Sequence, residues 1–220
     1  MSKVLFVFCL AVLVIFANFV DVPLSVFVSQ NATESLKSVS NIVTFFGGTM
    51  FIMLANFLIL IYFLKKRDSE KVFYTIMSIA TQVYISIFVN IIKRIVGRVR
   101  PFYLIENDLT STFTFFKWNY EYLSFPSGHS QGIWCFIICL FFIFFGKKDK
   151  WKFNFSSSVL VLLGVVVPIS RVILLRHYLS DVIIGSLIGG FVGYRVFLSV
   201  LKNNEDEKSI LRQVIKKKVC

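Results

Sequence analysis

Acidic residues are scarce in this chain: 12 Asp and Glu stand against 24 Lys and Arg over 220 residues, and only 16% of the residues are charged. About a quarter is usual for a soluble domain, so much of the surface must face something other than water. Histidine occurs twice, at His129 and His177, and cysteine four times, at Cys9, Cys135, Cys139 and Cys220. None of these has zinc-type spacing, and no carboxylates cluster, so no metal-ligand motif is present. Cys135 and Cys139 are four apart in an apolar run, where packing accounts for both. The terminal Lys-Lys-Val-Cys is not a prenylation signal. What fills the chain instead is apolar: 56% hydrophobic residues, 26 of them Phe.

Apolar runs long enough to cross a bilayer, about 20 residues each, predict an all-α polytopic membrane protein with six transmembrane helices. They fall at about 4–20, 42–64, 72–92, 129–145, 156–174 and 182–201. The first also has the length of a signal peptide, but no small-x-small cleavage site closes it, so a retained span is expected. Residues 1–201 form one six-span domain, and 202–220 a basic cytosolic tail that either lies along the anionic inner leaflet or is solvated. With both termini cytosolic, 15 of the 24 cations fall on the inner side, as the positive-inside rule requires. The net charge of +12 is thereby explained by orientation in the membrane, and no nucleic-acid partner is inferred.

Six of the eight outer cations belong to two stretches, and a third stretch carries a histidine. Ser170–Asp181, SRVILLRHYLSD, sets Arg171 and Arg176 around His177 and Asp181, which are i and i+4 and share one face if helical. A carboxylate there holds one imidazole nitrogen as a donor and leaves the other a lone pair for nucleophilic or base chemistry. In Lys93–Pro101, KRIVGRVRP, Lys93 and Arg100 are seven apart, two helical turns. In Ser124–Ser130, SFPSGHS, His129 follows a Pro-Ser-Gly turn that opens an apolar run, a helix start whose free N–H groups attract anions.

These three stretches resemble the motifs K-x6-R-P, P-S-G-H and S-R-x5-H-x3-D of the type 2 phosphatidic acid phosphatase family, all present without departure. The resemblance implies a membrane lipid phosphatase without cofactor or metal, acting on a lipid phosphate among membrane phospholipids, with no obligate protein partner. It implies His177 as the nucleophile that forms a phosphohistidine, Asp181 as its orienting group, and His129 as general acid and then base. It also implies Lys93, Arg100, Ser127, Gly128 and Arg171 as the phosphate-binding set. A bacterial inner membrane with the site facing the periplasm is expected. Lipid A, undecaprenyl diphosphate and phosphatidylglycerophosphate are all candidate substrates. A phosphotransferase of the same fold is the near alternative, and a vanadate-dependent haloperoxidase, a soluble type, the remote one.

Three further cations, Arg94, Arg98 and Arg176, lie outside the motif positions and bind either a second phosphate or, the favoured reading, face phospholipid phosphates. The aromatic cluster Phe113, Phe115, Phe116, Trp118, Tyr120 and Tyr122 in the long outer connection is either a lip that admits lipid sideways or an interfacial belt.

Overall fold

The computed structural model describes residues 17–110, 112–145 and 155–219. The first predicted span, 4–20, therefore lies almost wholly outside the described residues. A π-helical turn, Ala17–Asp21, leads into α1 (Val22–Asn31) and α2 (Glu34–Phe45). Then follow α3 (Thr49–Lys66), α4 (Ser69–Val96), the short α5 (Pro101–Glu106), α6 (Gly128–Phe145), α7 (Phe155–Ile173) and α8 (Leu179–Val219). Among the described residues five segments are long and apolar enough to cross a membrane: α3, α4, α6, α7 and Leu179–Lys202 of α8, with mean hydropathy 1.6 to 2.0. They correspond to the last five predicted spans. α8 continues across position 201 as one unbroken helix.

The span expected at 42–64 begins later than its hydropathy implies. Residues 22–45 form two helices, and the chain turns at Phe46–Gly48, so the span starts only at Thr49. Thr33 caps α2 by accepting the Leu36 N–H at 3.2 Å. One stripe of α2, Leu36, Val39, Ile42 and Phe45, is exposed, while Ser40 is buried and Thr44 reaches Arg171. An apolar face turned outward and a polar face turned in suit a helix lying in the membrane interface against the bundle.

The bundle is organised around α6, two thirds of which is buried, packed against α4, α7 and α8. Where α6 meets α8 the backbones touch: a Cβ on Gly185 would stand 2.5 Å from the Ser127 carbonyl oxygen, and one on Gly189 would overlap that of Gln131. Deeper in the bundle Phe142 stacks on Phe197 at 5.1 Å, beside Phe63 and Tyr74. Cys135 and Cys139 are buried there as free thiols. Leu54, Phe57, Ile87, Leu162, Leu187 and Phe191 point outward, the pattern of a surface solvated by lipid.

α4 ends at Gly97, whose φ of +55° is left-handed and whose α-hydrogen faces the Phe115 backbone; a Cβ would lie 2.8 Å from Phe115 N. Only glycine fits that turn without strain. The connection from Gly97 to Ser127 then folds over the end of the bundle, pinned by Val99 N–H to Thr112 O at 2.8 Å and Arg100 N–H to Glu121 O at 2.7 Å.

Candidate active site

All three motifs meet at this end of the bundle. The break at Gly97 means that Lys93 and Arg100 do not share a helix face, as the seven-residue spacing alone implies; they converge because both reach the same loop. Lys93 Nζ donates to the carbonyls of Leu123 at 3.0 Å and Pro126 at 2.6 Å, with that of Ser124 at a long 3.5 Å. Arg100 also donates to Leu123 O (3.2 Å), and to Tyr120 O and Arg176 O at 2.9 Å each, with its guanidinium 3.9 Å from the Tyr120 ring centre. Burial, and then the neighbouring Arg176, lower the Arg100 pKa from its ordinary value despite the opposing pull of Tyr120.

Ser127 joins the second and third motifs. Its N–H donates to the Asp181 carbonyl at 3.0 Å, and its hydroxyl accepts from the Ser130 N–H (3.4 Å) and hydroxyl (3.0 Å), which caps α6. Gly128 and His129 open the helix, and their N–H groups have no backbone partner among the described residues. Gly128 lies beside the Lys93 side chain, and the His129 backbone packs on Gly47. From α7, buried Arg171 gives one bond, NH1 to Thr44 Oγ1 at 2.9 Å, and its Nε has no partner. A guanidinium has five N–H donors, so Arg171 keeps most of them open for an anion.

His177 does not lie on the helix with Asp181. α7 ends in a turn with Leu175 at φ +53°, and α8 begins at Leu179, so His177 precedes it in the connection. Its Nδ1 is 2.7 Å from the Ser124 carbonyl oxygen, whereas Asp181 Oδ2 is 3.7 Å away, beyond hydrogen-bond range. The expected carboxylate-to-imidazole bond is thus corrected: a backbone carbonyl holds the ring. A carbonyl only accepts, so Nδ1 carries the hydrogen and the Nε2 lone pair is left over. Burial, helped by the charges of Lys93, Arg100 and Arg171 and opposed by Asp181, puts the His177 pKa well below its ordinary 6.5. The ring is therefore neutral near pH 7. The same three cations act on His129, which brings both histidines into one field.

Asp181 is occupied elsewhere. Oδ2 accepts from the Ser124 hydroxyl and from the Tyr178 N–H at 3.0 Å, reaching back from the third position of α8 in the manner of a capping box; Oδ1 accepts from Arg98. Arg98 is 1% exposed, which corrects the expectation that it faces phospholipid. Its NH2 donates to a second buried carboxylate, Asp21, at 2.8 Å. Burial would lower the Arg98 pKa, but the charges of Asp181 and Asp21 outweigh it and raise the value. Asp21, Thr44 and Ser124 were not legible as site residues. The one available signal was that Asp21 is the lone acid in residues 1–33, and an isolated carboxylate in apolar sequence needs a partner.

Arg94 and Arg176 do lie toward the surface. Arg94 stacks on Trp118 at 5.3 Å and borders a groove of about 590 Å³ on the outside of the bundle, lined by Met53, Ile87, Asn90 and Trp118 among others. Phe115, Phe116 and Trp118 are exposed, while Phe113 lies 5.0 Å from the buried Arg98 guanidinium.

The family model of the PAP2 superfamily matches residues 71–205, a range that contains all three motifs. This chain belongs to the PAP2 superfamily. It is similar to the lipid A 1-phosphatase of Rhizobium etli, 27% identical over 171 residues that cover 71% of this chain and 68% of that protein. A lipid A 1-phosphatase of Rhizobium johnstonii is 26% identical over 177 residues, covering 74% and 67%. Two crystal structures share the PAP2 fold. The first transmembrane PAP2-type phosphatidylglycerolphosphate phosphatase from Bacillus subtilis superposes with a TM-score of 0.60 at 22% identity, over 92% of this chain and 94% of that one. Aquifex aeolicus LpxE gives 0.56 at 19% identity, over 80% and 93%.

Proposed function

We propose that this PAP2 chain is a metal-independent membrane phosphatase that removes phosphate from a lipid headgroup through a phosphohistidine. The observation that carries this reading is the His177 ring, neutral and tied by Nδ1 to the Ser124 carbonyl, with Nε2 left to attack among Lys93, Arg100 and Arg171. In the first step the Nε2 lone pair forms the N–P bond as the P–O bond to the lipid breaks, and His129, which holds its proton only while the phosphate's negative charge offsets the three cations, gives that proton to the departing oxygen. In the second, water attacks the phosphohistidine, His129 takes up the proton, and inorganic phosphate leaves with His177 restored. Arg171 and Arg100, with donors to spare, take the non-bridging oxygens together with the Gly128 N–H; Lys93 exchanges its long third bond for a phosphate oxygen. Ser127 holds the start of α6 in place for them.

The two Rhizobium relatives support a lipid A phosphate as substrate. With six spans, the cation distribution supports cytosolic termini and a site on the outer face, and the two Rhizobium relatives support a bacterial inner membrane with that face toward the periplasm. A reporter inserted near Asn107 reading exported, and one after Lys202 reading cytosolic, is the expected pair; both on one side would sink the arrangement. For the activity, protein purified in detergent with EDTA is offered lipid A, undecaprenyl diphosphate and phosphatidylglycerophosphate. Phosphate release from lipid A above the others is expected. No release from any of them without added divalent cation would overturn the mechanism.

A further inference from the structure

We infer that Asp21 and Arg98 are positioning residues for the reaction, acting through Asp181 and Ser124 on the His177 ring; this rests on the reading of His177 as the nucleophile. Asp21 comes from the turn before α1, 159 residues ahead of Ser180 in the chain, yet it is wholly buried at the start of α8. Its Oδ1 accepts the Ser180 N–H at 3.0 Å, so it supplies from outside the helix the acceptor that a helix start lacks. Its Oδ2 accepts from the Ser180 hydroxyl and from Arg98 NH2. Arg98 NH1 then donates to Ser180 Oγ at 2.7 Å and to Asp181 Oδ1, so one guanidinium bridges two buried carboxylates.

The bridge reaches the imidazole through Ser124. The Ser124 N–H donates to the Arg98 carbonyl at 3.0 Å and its hydroxyl to Asp181 Oδ2. Arg98 therefore fixes Ser124 twice, by its own backbone and by way of Asp181, and the carbonyl of Ser124 is what selects the His177 tautomer. With Asp181 Oδ1 released from Arg98, the carboxylate can turn its oxygens toward His177 Nδ1, now 3.7 Å away, and the ring loses its single fixed orientation. A displacement of this kind costs up to about a hundredfold in rate without touching the reacting atoms.

The test compares Asp21→Asn and Ser180→Ala in the full-length protein in detergent. Asn keeps the shape but turns an amide toward Arg98; Ala removes only the hydroxyl shared by Asp21 and Arg98. Because the chain has only two histidines, ¹⁵N-histidine NMR resolves His177, with His129→Asn making the assignment. Wild type is expected to show a single Nδ1–H tautomer. Both variants are expected to lower kcat by ~10-fold or more with KM within about twofold, and to show mixed tautomers. A wild-type tautomer and kcat in both would make the bridge a purely structural device and overturn the inference. If Asp21→Asn does not fold, Ser180→Ala gives both readouts alone. A fully active His177→Asn would overturn the nucleophile instead, and the tautomer readout, which needs no turnover, would still judge the positioning role.

Discussion

Two glycines on one helix are expected to respond in opposite directions to the same change. In Gly185→Ala the new methyl group would sit 2.5 Å from the Ser127 carbonyl oxygen. An ordinary non-bonded contact is about 3.5 Å, so α6 and α8 must part by about 1 Å or rotate. The obstacle is backbone, which cannot swing aside as a side chain would. Overpacking of this kind costs about 1–3 kcal/mol. It also falls where the Ser127 N–H meets the Asp181 carbonyl, so Gly128 and His129 shift against His177. A rate loss of ~10- to 100-fold is expected on top of lower stability. At Gly190, five residues on, a methyl group would meet nothing within 4 Å. Gly190→Ala should therefore keep full activity and gain up to about 1 kcal/mol from helix propensity. The assay is thermal unfolding in detergent alongside phosphate release from the lipid. If Gly185→Ala matches wild type in both melting temperature and kcat, the close α6–α8 approach does not set the site geometry.

Arg171→Ala should lower turnover by ~10²-fold, the loss typical of one preorganised transition-state donor; near-normal kcat with a normal fold would make Arg171 structural. Because His177 in the folded protein has a pKa well below 6.5, the unfolded chain takes up this proton first. Stability should fall as pH drops below about 6.5, and pH melts of His177→Gln should lack that part of the slope. The same depression keeps the nucleophile neutral, so single-turnover phosphoenzyme formation should show no loss attributable to His177 between pH 7.5 and 6.5. In His129→Asn, p-nitrophenyl phosphate, whose leaving group needs no proton, should label the enzyme on His177 with an acid-labile, alkali-stable bond. Label that persists after His177 is also replaced would point to another nucleophile.

Hydropathy alone was enough to locate the five described spans, because lipid allows helices to hide their backbone polar groups and little else. The motif residues were legible for a related reason: charge and histidine beside hydrocarbon are costly enough to stand out in a one-dimensional reading. What spacing could not supply was which partner each group takes. Gly97 turns Lys93 and Arg100 onto separate elements that meet again at Leu123, and helical arithmetic stops at such a turn. The helix start at Leu179 leaves His177 in the connection, so its ring finds the Ser124 carbonyl, 53 residues away, instead of the carboxylate four residues on. A backbone carbonyl has no letter in the sequence; every residue carries one, and only tertiary folding selects it. Asp21 and Arg98 were each visible as charges, but their pairing joins the first described turn to the last helix. That contact is decided by how the bundle closes, where two buried carboxylates require one shared cation.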